Sequence, residues 1–169
     1  MRSPGAALVT NIFFEKSVKH LELKSDLRQT NSINLQVPYY RQHYDFTCGP
    51  ASLMMAMKYF DKCLPLTKNL EIDIWKESNM VELCGTSRYG IAYSALTRGF
   101  KVKVINNAGK IDFVDQIVPS LKDINTDMLK LHFRERRDRC RRLGVEEGQE
   151  PITVKTIYNS LCSSHVPLK

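Results

Sequence analysis

Gln42, Cys48 and the Gly49-Pro50 pair form the stretch of this sequence best suited to chemistry. A cysteine thiolate attacks carbonyl carbon, and thiolate rather than thiol is the nucleophile. A side-chain amide six residues upstream, Gln42, is the right type to donate a hydrogen bond to the oxyanion that such an attack creates. The residues that follow strengthen the pair. Ala51 to Phe60 contains no Gly, no Pro and one charge, Lys58. Pro50 suits the first turn of a helix, where its missing N–H costs nothing. The pattern predicts a helix from about Gly49 to Phe60 with Cys48 at its mouth. Unpaired N–H groups and the positive end of the helix dipole then face the sulfur and favour thiolate. The competing readings are a small buried hydrophobe for Cys48 and a solvated loop residue for Gln42.

A thiolate nucleophile also needs a base that can become an imidazolium. The chain has four histidines. His20 falls in the N-terminal segment, His43 follows Gln42 on the same loop, His132 lies one step off the apolar face of a long helix, and His165 is in the last turn. None is singled out by spacing. With a base in place, Cys48 attacks a scissile amide, Gln42 and the Cys48 backbone N–H hold the oxyanion, and water releases the thioester.

The elements that must position these residues are legible from pattern. Leu53, Met54, Met55, Met57, Tyr59 and Phe60 leave the first helix almost no polar face, so it is buried, and its methionines are core packing. Thr67 or Asn69 caps a second helix running to about Met80. Val81 to Gly90, with Cys84, reads as a loop, and Tyr89 to Thr97 as a helix ended at Gly99. Phe100 to Ile105 alternates apolar and charged residues at strand period, with Lys101 and Lys103 on the wet face. Asp112 to Val118 is read as helical. Pro119 to Leu143 reads as one amphipathic helix with Leu129, Phe133, Arg136, Cys140 and Leu143 on one face, stopped by Gly144. Glu146 to Glu150 reads as an acidic loop and Pro151 to Cys162 as a last helix. Ser163-Ser164 is a turn into a final strand. Residues 1–34 read as an N-terminal extension and linker. Ile12-Phe13-Phe14 within them is a strand or a tail rather than a signal peptide, because Thr10-Asn11 interrupts the apolar run and no small-residue cleavage site follows.

The sequence resembles a known family at these residues. Val37-Pro38-Tyr39-Tyr40-Arg41-Gln42 and Phe46-Thr47-Cys48-Gly49-Pro50-Ala51-Ser52-Leu53 are similar to the active-site approach of the C39-like cysteine peptidases. Ile74-Trp75-Lys76-Glu77, Tyr89-Gly90-Ile91-Ala92 and Arg98-Gly99-Phe100 resemble its stand-alone branch. Relatives include the peptidase domains that trim double-glycine leaders from bacteriocin precursors. The resemblance runs from about Gln36 to Lys169, strongest around Cys48. It implies an α+β, papain-like domain over 35–169, with a mostly helical N-terminal half and an incomplete antiparallel sheet. It implies Cys48 as nucleophile and Gln42 in the oxyanion hole. The family's catalytic His follows on a strand patterned like His-Trp-Val-Val-Val, with Asp or Asn on the next. Nothing here matches that motif. Val166-Pro167-Leu168-Lys169 resembles the approach to the strand before it, so on this reading the domain is truncated before its base.

Composition bounds the alternatives. The chain has 169 residues, 43% of them apolar, enough for one domain with a real core. Net charge is +7, with 25% charged residues, an ordinary fraction. Arg134 to Arg142 holds six Arg, but Glu135 and Asp138 dilute them, so the run reads as a solvated helix face and no nucleic-acid partner is expected. Five cysteines without a CxxC pair or zinc spacing fit a reduced, cytoplasmic chain with no metal and no organic cofactor. No apolar run is long enough to span a bilayer. The leading expectation is peptide-bond cleavage of a peptide or protein substrate. The alternative is a non-catalytic peptide-binding C39-like module.

Overall fold

A computed structural model gives the structure of residues 11–15, 34–80, 83–106, 125–162 and 166–168. Within them the chain order is β1 (Asn11–Glu15), α1 (Cys48–Phe60), α2 (Lys68–Ser78), β2 (Asn79–Met80), β3 (Leu83–Thr86), α3 (Arg88–Thr97), β4 (Lys101–Asn106), α4 (Thr126–Arg142), β5 (Glu146–Gln149), α5 (Val154–Cys162) and β6 (Val166–Leu168). The chain is α+β.

Local chemistry sets the helix boundaries. Thr67, not Asn69, caps α2, its hydroxyl accepting from the Leu70 N–H at 3.2 Å. Ser87 caps α3 through the Gly90 N–H at 2.9 Å, and Asn125 caps α4 through the Met128 N–H at 3.1 Å. Asp127 in the first turn of α4 and Arg139, Arg141 and Arg142 in its last turn match the helix dipole. Gly99 and Gly144, with φ of 81° and 82°, follow α3 and α4 where the sequence places the stops.

The core is built around α1. Leu53, Met54, Ala56 and Met57 are buried in it, with Ile74 from α2, Tyr89, Ala92 and Ala95 from α3, Val102 and Val104 from β4, and Leu129, Phe133 and Cys140 from α4. Each large apolar side chain buried this way contributes about 1.5–3 kcal/mol. α1 packs on β1 and β6 on one side and on α2 and α3 on the other, so it lies between a sheet and a helical layer, as its lack of a polar face requires.

The main sheet has the order β5-β4-β1-β6. β1 pairs antiparallel with β4 (Phe13 opposite Lys103) and with β6 (Phe13 opposite Pro167). β4 and β5 are parallel, which departs from the expected antiparallel sheet. The reason is topological: α4 lies between them in the chain, and a helical crossover returns the strand in the same direction. β1, from the segment read as an extension, supplies a central strand.

Four expectations shift. Leu83–Thr86 pairs antiparallel with Asn79–Met80, where a loop was expected. Glu146–Gln149 is a strand rather than an acidic loop, because β4 offers it a ladder from Lys103–Glu146 to Asn106–Gln149. α4 begins at Thr126, and Leu143 lies past its end, exposed, while Leu129, Phe133 and Cys140 hold the buried face. The helix expected at 112–118 and the stretch 119–124 lie outside the described residues, as does the turn at 163–164.

Candidate active site

Cys48 is the first residue of α1, and its thiol is free and exposed. Thr47 occupies the N-cap position but makes no side-chain cap, and the first turn of α1 has no acidic residue. The N-terminal N–H groups of a helix have no intrahelical acceptor, and Pro50 has none to offer. The backbone at Cys48 and Gly49 is therefore an uncapped, positively polarised helix end beside the sulfur.

Gly49 lets that helix end sit flush against the rest of the domain. A Cβ added there would overlap the Thr86 Oγ1 and lie 3.2 Å from the Ile91 Cδ1. Any other residue there requires the Thr86 side chain, and to a smaller degree that of Ile91, to shift.

Gln42 sits on the loop leading to Cys48. Its amide nitrogen donates to the Tyr44 carbonyl at 2.8 Å, which orients the side chain on its own loop. One of its two amide hydrogens is used there and the second remains. The structure describes no bond between Gln42 and Cys48.

The loop is fixed by a residue that the sequence did not flag. Glu71, on α2, is 0% exposed. The Tyr40 hydroxyl donates to its Oε2 at 2.8 Å, the His43 backbone N–H donates to Oε1 at 2.9 Å, and the His43 Nδ1 lies 2.9 Å from Oε2. The Thr47 hydroxyl contacts both Glu71 Oε1 and the Tyr44 carbonyl; its single proton goes to the charged acceptor, the stronger of the two. A carboxylate only accepts, so His43 carries its proton on Nδ1, and four donors meet about four lone-pair sites. Burial alone pushes the Glu71 carboxyl up, but the bonds from Thr47, His43 and Tyr40 outweigh it and hold it below its ordinary value. Burial and the same carboxylate push the Tyr40 phenol up to about 12. Glu71 shares a helix stripe with buried Ile74 and Ser78. A carboxylate on an apolar stripe is the signal that could have found it, because such a group needs donors from elsewhere in the chain.

Aromatic rings reinforce the same junction. Tyr44 stacks on Phe46 with centroids 5.6 Å apart, and Phe46 tilts onto Trp75 of α2 at 4.9 Å. Tyr39, on the same loop, is 80% exposed.

The two histidines within the described residues have defined partners. His43 is held by Glu71. His132 accepts a hydrogen bond at Nε2 from the Arg136 Nε at 2.9 Å, and burial followed by the Arg136 charge pushes it toward the neutral form. His20 and His165 lie outside the described residues. Of the other cysteines, Cys140 is buried, donates to the Tyr89 carbonyl at 3.1 Å and has its thiol pushed up to about 12 by burial, so it is core. Cys63 is exposed and free.

Three of the six arginines of α4 have acidic partners among the described residues. Arg137 and Arg141 both bind Glu147 of β5, which also accepts from the Tyr89 hydroxyl at 2.6 Å. These bonds, that of Arg137 foremost, lower the Glu147 carboxyl to about 2 against the opposing effect of burial. Arg139 pairs with Glu135 and Arg141 also with Asp138. Among the described residues no group of three or more His, Cys, Asp or Glu is placed to hold a metal, and no helix is long and apolar enough to cross a membrane.

Compared with known proteins, residues 37–169 match the model of a family described as Peptidase_C39 like. Neither curated proteins nor solved structures gave a match.

Proposed function

The chain belongs to the C39-like peptidase family, and we propose that it cleaves peptide bonds with Cys48 as nucleophile and Gln42 as oxyanion donor. The observation that carries this reading is the exposed, free Cys48 thiol on the uncapped first residue of the buried helix α1, in a chain of this family. The papain-like unit is residues 35–169, to which the N-terminal segment adds β1. The setting is a reduced, cytoplasmic one.

The sulfur of Cys48 attacks the carbonyl carbon of an extended peptide. The carbonyl π pair moves onto oxygen, and the oxyanion is received by the Cys48 backbone N–H and the second amide hydrogen of Gln42. The bond from Gln42 to the Tyr44 carbonyl holds that amide in place before substrate arrives, which is what makes such a donor effective. Collapse breaks the C–N bond and expels the amine, which leaves with the proton given up by the Cys48 thiol, and a thioester remains. Water then cleaves the thioester and restores the thiol.

A mixed peptide library incubated with the protein and read for new termini by mass spectrometry tests the reading. Cys48→Ala is expected to abolish cleavage, and Gln42→Ala to lower kcat by about 10²–10³. Cleavage that persists at the wild-type rate in Cys48→Ala removes the proposal.

A second reading, a peptide-binding module without turnover, is favoured by one observation. Both described histidines are engaged by other residues, His43 by Glu71 and His132 by Arg136. Peptide retention without new termini in the wild-type protein selects it.

A further inference from the structure

We infer that Glu71 is a positioning residue for the nucleophile. It acts through Thr47 to set the geometry of Cys48 and through His43 to set the loop that carries Gln42. The inference rests on the reading of Cys48 as nucleophile and deepens it.

The argument starts from the cost of the arrangement. A carboxylate without solvent contact is strongly unfavourable unless donors replace its water. Among the described residues Glu71 meets that condition from one segment: each donor it binds comes from residues 40 to 47, just before Cys48. If the carboxylate served only the fold of α2, donors from any neighbouring element would do. They are instead concentrated on one short loop, at its start (Tyr40), its middle (His43) and its last residue before the nucleophile (Thr47). The loop is thereby fixed to α2, and α2 is itself packed along α1, the helix that Cys48 begins.

Thr47 shows what the arrangement does locally. A threonine at an N-cap ordinarily turns its hydroxyl onto the N–H groups of its own helix. Here the hydroxyl is drawn to Glu71, and α1 has no side-chain cap. Losing the bond to Glu71 would free Thr47, and with it the backbone that leads into Cys48. His43 is held at two points, the backbone N–H and the ring, and Gln42 is its immediate neighbour. The same carboxylate therefore restrains both groups proposed to act on the substrate, without touching the substrate itself.

The test uses the native chain and needs no substrate. Iodoacetamide alkylation at neutral pH is quantified at each cysteine by mass spectrometry, and the rate at Cys48 is divided by that at exposed Cys63, which lies at the other end of α1. Thr47→Val keeps the shape of the side chain and removes the hydroxyl; Thr47→Ser restores it. The ratio is expected to fall roughly tenfold in Thr47→Val and to recover in Thr47→Ser. Glu71→Gln is expected to lower it as well, and where that variant fails to fold the threonine pair decides. Thermal melting is the control, since a merely structural contact lowers the melting temperature and leaves the ratio unchanged. A wild-type ratio well above one that persists in Thr47→Val overturns the positioning role alone. A wild-type ratio near one overturns the nucleophile reading and the positioning role with it.

Discussion

Glu71 remains charged out of water because Thr47, His43 and Tyr40 stand in for the water. Its folded pKa lies below the ordinary 4.5, so its contribution to stability is full above that value and is lost as pH falls through the folded pKa. Trp75 is the only tryptophan of the chain and touches Phe46 across the same junction, so its emission reports whether the loop is docked on α2. The emission is expected to stay constant from neutral pH down to the ordinary carboxylate range and to change only below it. A transition complete before the carboxylate range is reached would contradict the assignment of the fastening to Glu71. Glu71 was hard to see in the sequence because its partners lie 24 to 31 residues away. Within α2 it reads as one more charged helix residue. The helix that Cys48 begins was easy to see because its pattern lies in the residues that follow it.

At the scale of elements, local signals were read well and long-range pairing was not. α1 follows from its missing polar face and the start of α2 from the Thr67 hydroxyl, while the Ser87 cap of α3 lies in a stretch that reads as loop. β5 carries the composition of a loop, Glu-Glu-Gly-Gln, and is a strand only because β4 is beside it and Arg137 and Arg141 neutralise Glu147. The β2–β3 ladder has the same origin, since its strands are too short to announce themselves. The junction of α1 with β3 makes a quantitative expectation possible. Gly49→Ala raises helix propensity by about 1 kcal/mol, but its Cβ would overlap Thr86, and overpacking of that kind costs about 1–3 kcal/mol. A lower midpoint in urea is expected; an unchanged or higher midpoint would show that β3 yields freely and that the close fit beside Cys48 is not required.

For the whole molecule, the α+β class and the family were legible because the most informative residues are contiguous, from Val37 to Leu53. The position of the N-terminal strand was not legible, because Ile12 to Phe14 can be placed only by knowing that β4 and β6 lie on either side. The net charge of +7 suggests a basic surface, and in α4 Arg137 and Arg141 pair with Glu147 of β5 while Arg139 pairs with Glu135 on the helix's own exposed face. What distinguishes one cysteine from another is therefore placement. Cys48 and Cys63 are both exposed, and Cys140 is buried with its thiol bonded to the Tyr89 carbonyl. The decisive measurement is site-resolved iodoacetamide alkylation of the native protein at neutral pH. The expected result is Cys48 modified about tenfold or more faster than Cys63, with Cys140 protected until the fold is lost. Equal rates at Cys48 and Cys63 would mean a thiol that is exposed but not activated, and would contradict the assignment of Cys48 as the nucleophile.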